Sequence, residues 1–386
     1  MSQRRIVAID ATRGAAMLFV FLSHFSISYM RLAGHLNLVV LLYRISMVAS
    51  PTFMLISGII LGYLFETHKE NFQPIRRTLV GRGIFLLTVG RVLILIAHIP
   101  FAGGFRQALT WGFITDSIGV SVICGTIVIG HLRSLHRLFL GIFLYVISWW
   151  MILVWFPEPT VLRAVKYVLF GPLSGYQNSI YADVFPLLPW FGIYLVGSSM
   201  GSRLGKLLVQ NQTTEAATFV LFTALASLSV ALVIHGLKLS LGAAVPSDKA
   251  VIWFHLFQTE KLPPTFTYFL FYGGIGLLIL YSFLKFERLR FVGRAMELLQ
   301  VLGQVSLVAF ILQYYVYFSL FIILNLKYSV FWPLYFAVSV CLIYVPTRFA
   351  FRHGFNKYLS VPYSRMLDFV LPWRTARERV SVERGQ

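Results

Sequence analysis

The sequence consists mainly of long, uninterrupted apolar runs, and this feature restricts the fold more than any other. A helix needs about 20 apolar residues to cross the roughly 30 Å hydrocarbon core of a bilayer. Ten runs approach that length: 14–31, 45–65, 83–100, 114–131, 138–155, 185–201, 217–235, 266–284, 305–324 and 331–347. Because these runs lack the strict alternation of barrel strands, they predict an all-α polytopic membrane protein with about ten transmembrane helices.

The composition excludes the other broad classes of protein. Hydrophobic residues make up 58% of the chain and charged residues only 12%, against about 25% charged residues in an average soluble domain. A soluble globule could not cover that much apolar surface, and disorder requires the opposite composition. We therefore predict a single transmembrane domain over residues 1–347, followed by a basic cytoplasmic interfacial tail over residues 348–386.

The net charge of +19 indicates orientation rather than a nucleic-acid partner. If the N-terminus is inside, most Lys and Arg residues fall in segments that face the cytoplasm, as the positive-inside rule requires. An even number of spans then returns the C-terminus to the same side. Anionic membrane lipid is the partner that this charge predicts, and a bacterial cytoplasmic membrane is the expected location.

One predicted helix carries polar residues at a regular spacing. His24 lies 11 residues after Arg13, and His35 lies 11 residues after His24, so each step is about three turns and about 16 Å. An arginine at the inner boundary can hold a phosphate, while an imidazole in the membrane can move a proton or accept an acyl group. The alternatives are a positive-inside anchor for Arg13, a hydrogen-bonded core histidine for His24 and an ordinary loop residue for His35.

Three further polar or aromatic residues have two interpretations each. Asp10 either caps the start of the first helix or pairs with Arg13, and capping is favoured. Arg91 interrupts the third span and needs an anion, which is either a bound phosphate or thioester oxygen or a structural partner. Trp190 enters the sixth span from the outer side, as an interfacial belt residue or as part of a substrate roof.

Small residues indicate where helices approach each other closely. Gly58 and Gly62 form one GxxxG pair, and Gly197 and Gly201 form another, a pattern that predicts close helix packing. The region 36–65 is either one helix broken at Pro51 or an interfacial helix followed by a span.

Two segments resemble the acyltransferase-3 family. Asp10-Ala-Thr-Arg13-Gly14, followed by an apolar run to His24, resembles the opening of transmembrane acyltransferases, with Arg13 and His24 at the R-x10-H spacing. Pro51-Thr-Phe-Met-Leu-Ile-Ser57-Gly58 is similar to the second-span F-x-x-x-S-G signature of that family.

Other segments resemble the catalytic domain of heparan-α-glucosaminide N-acetyltransferase. These are the RxxxxDxxRG start, beginning at Arg5, and Leu188-Pro189-Trp190-Phe-Gly192. Leu302-Gly-Gln-Val-Ser306-Leu resembles the late LG-x-x-SL segment of both groups. The large outer domain of the eukaryotic heparan enzyme has no counterpart here, so the resemblance does not imply a lysosomal role.

The resemblance implies an acyltransferase that moves an acyl group, most simply acetyl, from cytoplasmic acyl-CoA to a hydroxyl or amine of an outer sugar or glycan. Arg13, Arg91 and Asp10 are then the expected CoA-binding residues, and no metal is expected. In acyltransferase-3 proteins the histidine at the position of His24 is catalytic, whereas in heparan-type enzymes the catalytic histidine stands at the position of His35. The chain has both, so either is a candidate.

Two other classes of function remain open. A transporter or flippase for a glycan or lipid-linked saccharide would also use a polar helix face, although no inverted repeat is apparent and intramembrane carboxylates such as Asp116 are scarce. A non-catalytic scaffold in an envelope-polymer complex is the third class. A homodimer is left open for all three.

Overall fold

The fold is a bundle of long helices. A computed structural model describes residues 6–30, 36–171, 185–241, 261–287, 289–326 and 328–355, and these contain helices and connecting turns but no β-strand. The helices are α1 (Val7–Met30), α2 (Leu36–Ser46), α3 (Ala49–Thr67), α4 (Gln73–Ala102), α5 (Phe105–Leu109), α6 (Ile114–His131), α7 (Ser134–Val154), α8 (Thr160–Leu169), α9 (Leu187–Val209), α10 (Thr213–Leu241), α11 (Phe266–Phe286), α12 (Arg290–Gln304), α13 (Ser306–Ile323) and α14 (Trp332–Arg352).

The predicted all-α polytopic membrane protein is confirmed. Within the described ranges, nine helical stretches are long and apolar enough to cross a membrane, with α2 and α3 counted together as one. The remaining predicted run, 185–201, forms the 23-residue helix α9. This helix is richer in glycine and serine than the others and is packed between α3 and α7. Its central position in the bundle explains why it can be less apolar than helices that face lipid.

Two helices begin earlier than hydropathy predicts. Helix α1 begins at Val7 rather than at residue 14, and α4 begins at Gln73 rather than at residue 83. Hydropathy marks the part of a helix in hydrocarbon, but a helix continues into the headgroup region as long as its backbone hydrogen bonds are made within the segment. Consequently Arg13 lies in the second turn of α1.

The region 36–65 forms two helices that meet at residues 47–48, between α2 and α3. The break therefore precedes Pro51, which lies in the first turn of α3, where its missing N–H costs no helical hydrogen bond. At the other end of the chain, α14 extends to Arg352 and so includes the first residues of the predicted tail 348–386. Residues 356–386 lie outside the described residues.

Glycines bring several pairs of helices into close backbone contact. The prediction for the two GxxxG pairs is confirmed, because a Cβ at Gly58 or Gly62 would overlap backbone oxygens of α9, and one at Gly197 or Gly201 would overlap those of α3. Helix α1 meets α12 in the same way at Gly14 and Gly303. These contacts join α3, which carries the F-x-x-x-S-G segment, to α9, which carries Leu188–Gly192, and they join α1 to α12.

Three of the spanning helices contain a short π-helical segment: Ser26–Met30 in α1, Leu86–Gly90 in α4 and Tyr315–Leu320 in α13. Each segment lies within two residues of a polar side chain inside a span, namely His24, Arg91 or Gln313. A π-helical turn changes the direction of the side chains that follow it and is frequent at functional sites.

Candidate functional site

Two adjoining cavities lie beside α1, and we call the one at the N-terminal end of this helix the inner cavity and the one at His24 the outer cleft. The inner cavity has a volume of about 660 Å³ and is lined by residues of or adjacent to α1, α3, α4, α6, α9, α12 and α13, the first of them in sequence being Ile6 and the last Phe310. The outer cleft is far smaller, at about 40 Å³. Both are lined by Phe53, Ile118 and Phe310, so they meet at these side chains, which we call the collar.

The inner cavity contains the polar residues of the family-like segments. Arg13 lies over the ring of Phe53, with its guanidinium carbon 5.0 Å from the ring centroid. The polar and charged lining residues are Asp10, Arg13, Ser57, Tyr63, His68, Thr78, Arg82, Thr115, Tyr194, Gln304 and Ser306. The first helix, the F-x-x-x-S-G segment and the LG-x-x-SL segment therefore converge on one cavity.

Asp10 has a different position from the one favoured by its sequence. The N-cap of α1 is Ile6, four residues before Asp10, so the prediction that Asp10 is the N-cap residue is wrong. The helix begins earlier because Val7, Ala8 and Ile9 continue its apolar pattern. Asp10 is instead a buried residue of the first turn that lines the inner cavity.

The outer cleft contains His24, which is held by Gln313 of α13. The His24 Nδ1 and Gln313 Oε1 atoms are 2.5 Å apart, and His24 also makes edge contacts with Tyr314 and Phe318, at ring-centroid distances of 5.2 and 4.9 Å. Because an amide oxygen only accepts hydrogen bonds, Nδ1 donates and Nε2 carries the lone pair. This arrangement suits His24 to accept a proton at Nε2.

The sequence analysis did not predict the contact between Gln313 and His24. The Gln313 side chain is fully buried in the structure. Gln313 lies two residues before a π-helical segment, and nothing in the sequence around it indicates that it contacts His24.

The outer cleft carries positive charge. Lys261 lines it beside His24, and the Lys261 Nζ atom lies over the ring of Phe185, 5.2 Å from the centroid. The described residues that line this cleft include no carboxylate.

Arg91 has a structural partner. Its guanidinium forms an ion pair with Asp116 of α6 and also donates from Nη2 to the carbonyl oxygen of Trp111, at 3.3 Å. Arg91 lines neither the inner cavity nor the outer cleft. Of the two partners that the sequence left open for this residue, the structure shows the protein carboxylate, which joins α4 to α6.

Trp190 lies behind the outer cleft. Its side chain is fully buried and lines neither cavity, and its ring centroid is 6.0 Å from that of Phe185, which does line the cleft. Trp190 thus supports a wall of the cleft. The other predicted catalytic residue, His35, lies outside the described residues.

A second buried histidine lies close to His24. His98 is 2% exposed, and its ring packs against Trp111 and Phe318, with centroid distances of 4.6 and 5.0 Å. Neither of its ring nitrogens has a hydrogen-bond partner among the described residues. Both imidazoles contact the rings of Tyr314 and Phe318, whereas Gln313 is the hydrogen-bond partner of His24.

The part of the chain that the structure describes contains no cluster of three or more His, Cys, Asp and Glu side chains.

Comparison with known proteins gives one match. The family described as heparan-alpha-glucosaminide N-acetyltransferase, catalytic, matches residues 5–238, which is more than half of the chain. No curated protein and no solved structure matches. The matched range includes Arg13, His24 and Phe53 but ends before Lys261 and Gln313.

Proposed function

The chain belongs to the heparan-alpha-glucosaminide N-acetyltransferase catalytic-domain family, and from this premise we propose that it moves an acetyl group from acetyl-CoA in the inner cavity to a glycan at the outer cleft. Membership of the family supports an acetyltransferase that acts on a glycan-type substrate. One observation carries the more specific proposal: a single helix places Arg13 in a large cavity and His24 in a small cleft, and the two spaces adjoin at the collar.

The inner cavity is suited to CoA by its size and charge. Its volume of about 660 Å³ lies within the range of roughly 300–1,000 Å³ that is usual for small-molecule sites. Arg13 and Arg82 both line it, and guanidinium groups bind phosphate through paired hydrogen bonds. Asp10 also lines this cavity and would accept a hydrogen bond from a hydroxyl or amine of the nucleotide part. Arg91 is left out of this proposed set because it lines neither cavity.

The reaction follows from the tautomer of His24. The His24 Nε2 atom removes the proton from an acceptor hydroxyl or amine, and the freed oxygen or nitrogen attacks the thioester carbonyl carbon. The C–S bond then breaks, the acetyl group stays on the acceptor, and the CoA sulfur leaves with the proton from the imidazolium. Lys261 stabilises the negative charge that forms on the carbonyl oxygen. His24 is assigned the role of base because it lines the cleft, and His35 remains a prediction.

The proposal also includes a cellular location for the protein. The chain is a multi-pass membrane protein, and the proposal places it in a bacterial cytoplasmic membrane, with the inner cavity facing the cytoplasm and both termini on that side. Membrane lipid and a carbohydrate acceptor are its proposed partners, and no nucleic acid is required. The single domain over residues 1–347, the interfacial tail and a homodimer remain predictions.

Binding of CoA to the purified full chain in detergent tests this proposal. Titration calorimetry with acetyl-CoA is expected to give a measurable Kd for the wild type, and Arg13→Ala is expected to weaken it by about tenfold to a hundredfold, because a hydrogen bond to a charged group contributes about 1.5–3 kcal/mol. Arg163→Ala is the matched control, since Arg163 lies on α8 and lines neither cavity.

Absence of acetyl-CoA binding by the wild type would contradict the proposal. Uptake of a glycan into liposomes without any requirement for CoA would favour the transporter instead.

A further inference from the structure

Tyr194 is a buried tyrosine of α9 whose hydroxyl group has no hydrogen-bond partner among the described residues. Other tyrosines that are equally buried do have one. The hydroxyl of Tyr268 donates to the carbonyl oxygen of Met47 at 3.1 Å, and the hydroxyl of Tyr317 lies 3.0 Å from that of Ser339. A buried tyrosine hydroxyl usually has a partner. Because Tyr194 lines the inner cavity, a molecule bound in that cavity can supply the missing partner.

Two other polar side chains lie in the same part of the cavity. Arg13 of α1 lies over the ring of Phe53, and Ser57 follows Phe53 by four residues on α3, so both face the same way. The neighbouring Gly58 packs against the backbone of Tyr194, and the Arg13 guanidinium interacts electrostatically with the Tyr194 side chain. Arg13, Ser57 and Tyr194 all line the inner cavity, so three helices converge on one group of polar side chains.

These side chains provide the donors that a phosphate group needs. The hydroxyl of Ser57 is also buried without a hydrogen-bond partner among the described residues. A guanidinium supplies positive charge and paired N–H donors, and each hydroxyl can donate one further hydrogen bond to a phosphate oxygen. The guanidinium and carboxylate groups that line the cavity are those of Arg13, Arg82 and Asp10, so positive groups outnumber negative ones.

We infer that Arg13, Ser57 and Tyr194 form one binding site for a phosphate group of CoA, in which the Tyr194 hydroxyl donates a hydrogen bond to a phosphate oxygen. This site rests on the proposed function, which places CoA in the inner cavity, and it adds Ser57 and Tyr194 to the residues that hold the donor. The phosphate belongs either to the diphosphate or to the 3′-phosphate of CoA, since both present the same kind of oxygen atom.

Tyr194→Phe tests the site because it removes only the hydroxyl group. The purified full chain in detergent is titrated with CoA by calorimetry, and the variant is expected to bind CoA about tenfold more weakly than the wild type, the effect of one lost hydrogen bond to a charged group. The ligand-free variant is expected to unfold at or above the wild-type temperature, because a buried hydroxyl without a partner has been removed. A tyrosine that only packs in the core would not lower CoA affinity while stability is kept.

Tyr145→Phe is the matched control. Tyr145 is also buried, but its hydroxyl donates to the carbonyl oxygen of Pro264 at 2.7 Å and it lines neither cavity. This variant is expected to lose stability and to bind CoA within about twofold of the wild type, because the lost hydrogen bond lies within the protein. Ser57→Ala is a second test of the site and is expected to weaken CoA binding by at least about threefold.

Two further ligands show which phosphate is bound. Dephospho-CoA lacks the 3′-phosphate, and S-acetylpantetheine lacks every phosphate. If Tyr194→Phe weakens CoA and dephospho-CoA equally, the site holds the diphosphate, whereas a loss for CoA alone assigns it to the 3′-phosphate. An equal proportional loss for S-acetylpantetheine would overturn the phosphate site, because the hydroxyl would then contact the pantetheine arm.

An unchanged CoA affinity in Tyr194→Phe, measured against a wild type that binds CoA, would also overturn the site and leave the proposed function intact. Failure of the wild type to bind either CoA or acetyl-CoA would instead contradict the proposed function itself.

Discussion

The inner cavity and the outer cleft differ in size, in composition and in the way the sequence encodes them. The inner cavity holds about 660 Å³ and is lined by many polar groups, several of which come from the recognisable motifs. The outer cleft holds about 40 Å³, and its chemistry depends on His24, Lys261 and the contact with Gln313. A large site with distributed contacts suits binding of a large donor, whereas a small site with one oriented imidazole suits bond rearrangement. Variants that separate binding from turnover test this division.

His24→Ala is expected to have the largest effect. Loss of a positioned base lowers the rate by about 10²–10⁴-fold, while the Kd for acetyl-CoA should change by less than about twofold, because His24 does not line the inner cavity. The measurements are acetyl transfer to an amino sugar such as glucosamine and titration with acetyl-CoA. The control is His131→Ala, because His131 is an exposed histidine at the end of α6. A wild-type rate in His24→Ala would show that the outer cleft takes no part in the reaction.

Arg91→Met is expected to reduce stability rather than to act on either cavity. Removing Arg91 leaves Asp116 without its charged partner, although its carboxylate still accepts a hydrogen bond from the Phe113 N–H, and the expected cost is about 1–3 kcal/mol in the free energy of unfolding. Thermal or denaturant unfolding of the purified protein measures this cost, and Arg91→Met/Asp116→Leu should recover most of it. A loss of CoA affinity in a stably folded Arg91 variant would contradict the assignment of Arg91 to structure.

Gln313→Leu should lower the rate by about fivefold to tenfold, the effect of one hydrogen bond of roughly 1 kcal/mol. The physical reason is that the imidazole no longer has a fixed tautomer, so Nε2 carries the lone pair for only part of the time. The expected signature is a fall in kcat and a shifted pH–rate profile with unchanged acetyl-CoA affinity. Gln313→Glu, which keeps an acceptor oxygen, is expected to retain more activity than the leucine variant.

Trp190→Phe should have the smallest effect, less than about twofold on kcat and KM. The indole Nε1 has no hydrogen-bond partner among the described residues, so its removal breaks no such contact, and phenylalanine retains most of the packing behind Phe185. A large rise in KM for the glycan acceptor would show that Trp190 contacts substrate and that the cleft extends further than its described walls.

Local sequence patterns predicted most of the fold but only part of the candidate site, namely the residues on α1. The apolar runs located the spanning helices because each depends only on neighbouring residues. Arg13 and His24 could be recognised together because they lie on one helix at a fixed spacing. The two glycine pairs likewise predicted close helix packing, but not that α3 and α9 would be the helices in contact.

Contacts between distant parts of the chain could not be predicted in this way. Gln313 is 289 residues from His24 along the sequence, and nothing in either segment shows which helices will be neighbours. The partner of Arg91 is only 25 residues away, yet its identity depends on how α4 packs against α6. Hydropathy also predicted the wrong first residue for α1, because the helix extends beyond the segment that lies in the hydrocarbon core.

The order of the site residues along the chain affects how much of the protein is needed for activity. The family match ends at residue 238, but Phe310 and Gln313 belong to α13. In addition, Gly303 of α12 lies in close contact with the backbone of Asp10. A fragment limited to the matched residues would keep Arg13 and His24, yet it would lack one side of the collar, the partner of the imidazole and the helix against which α1 is packed. The smallest piece expected to complete a catalytic cycle therefore extends through α13.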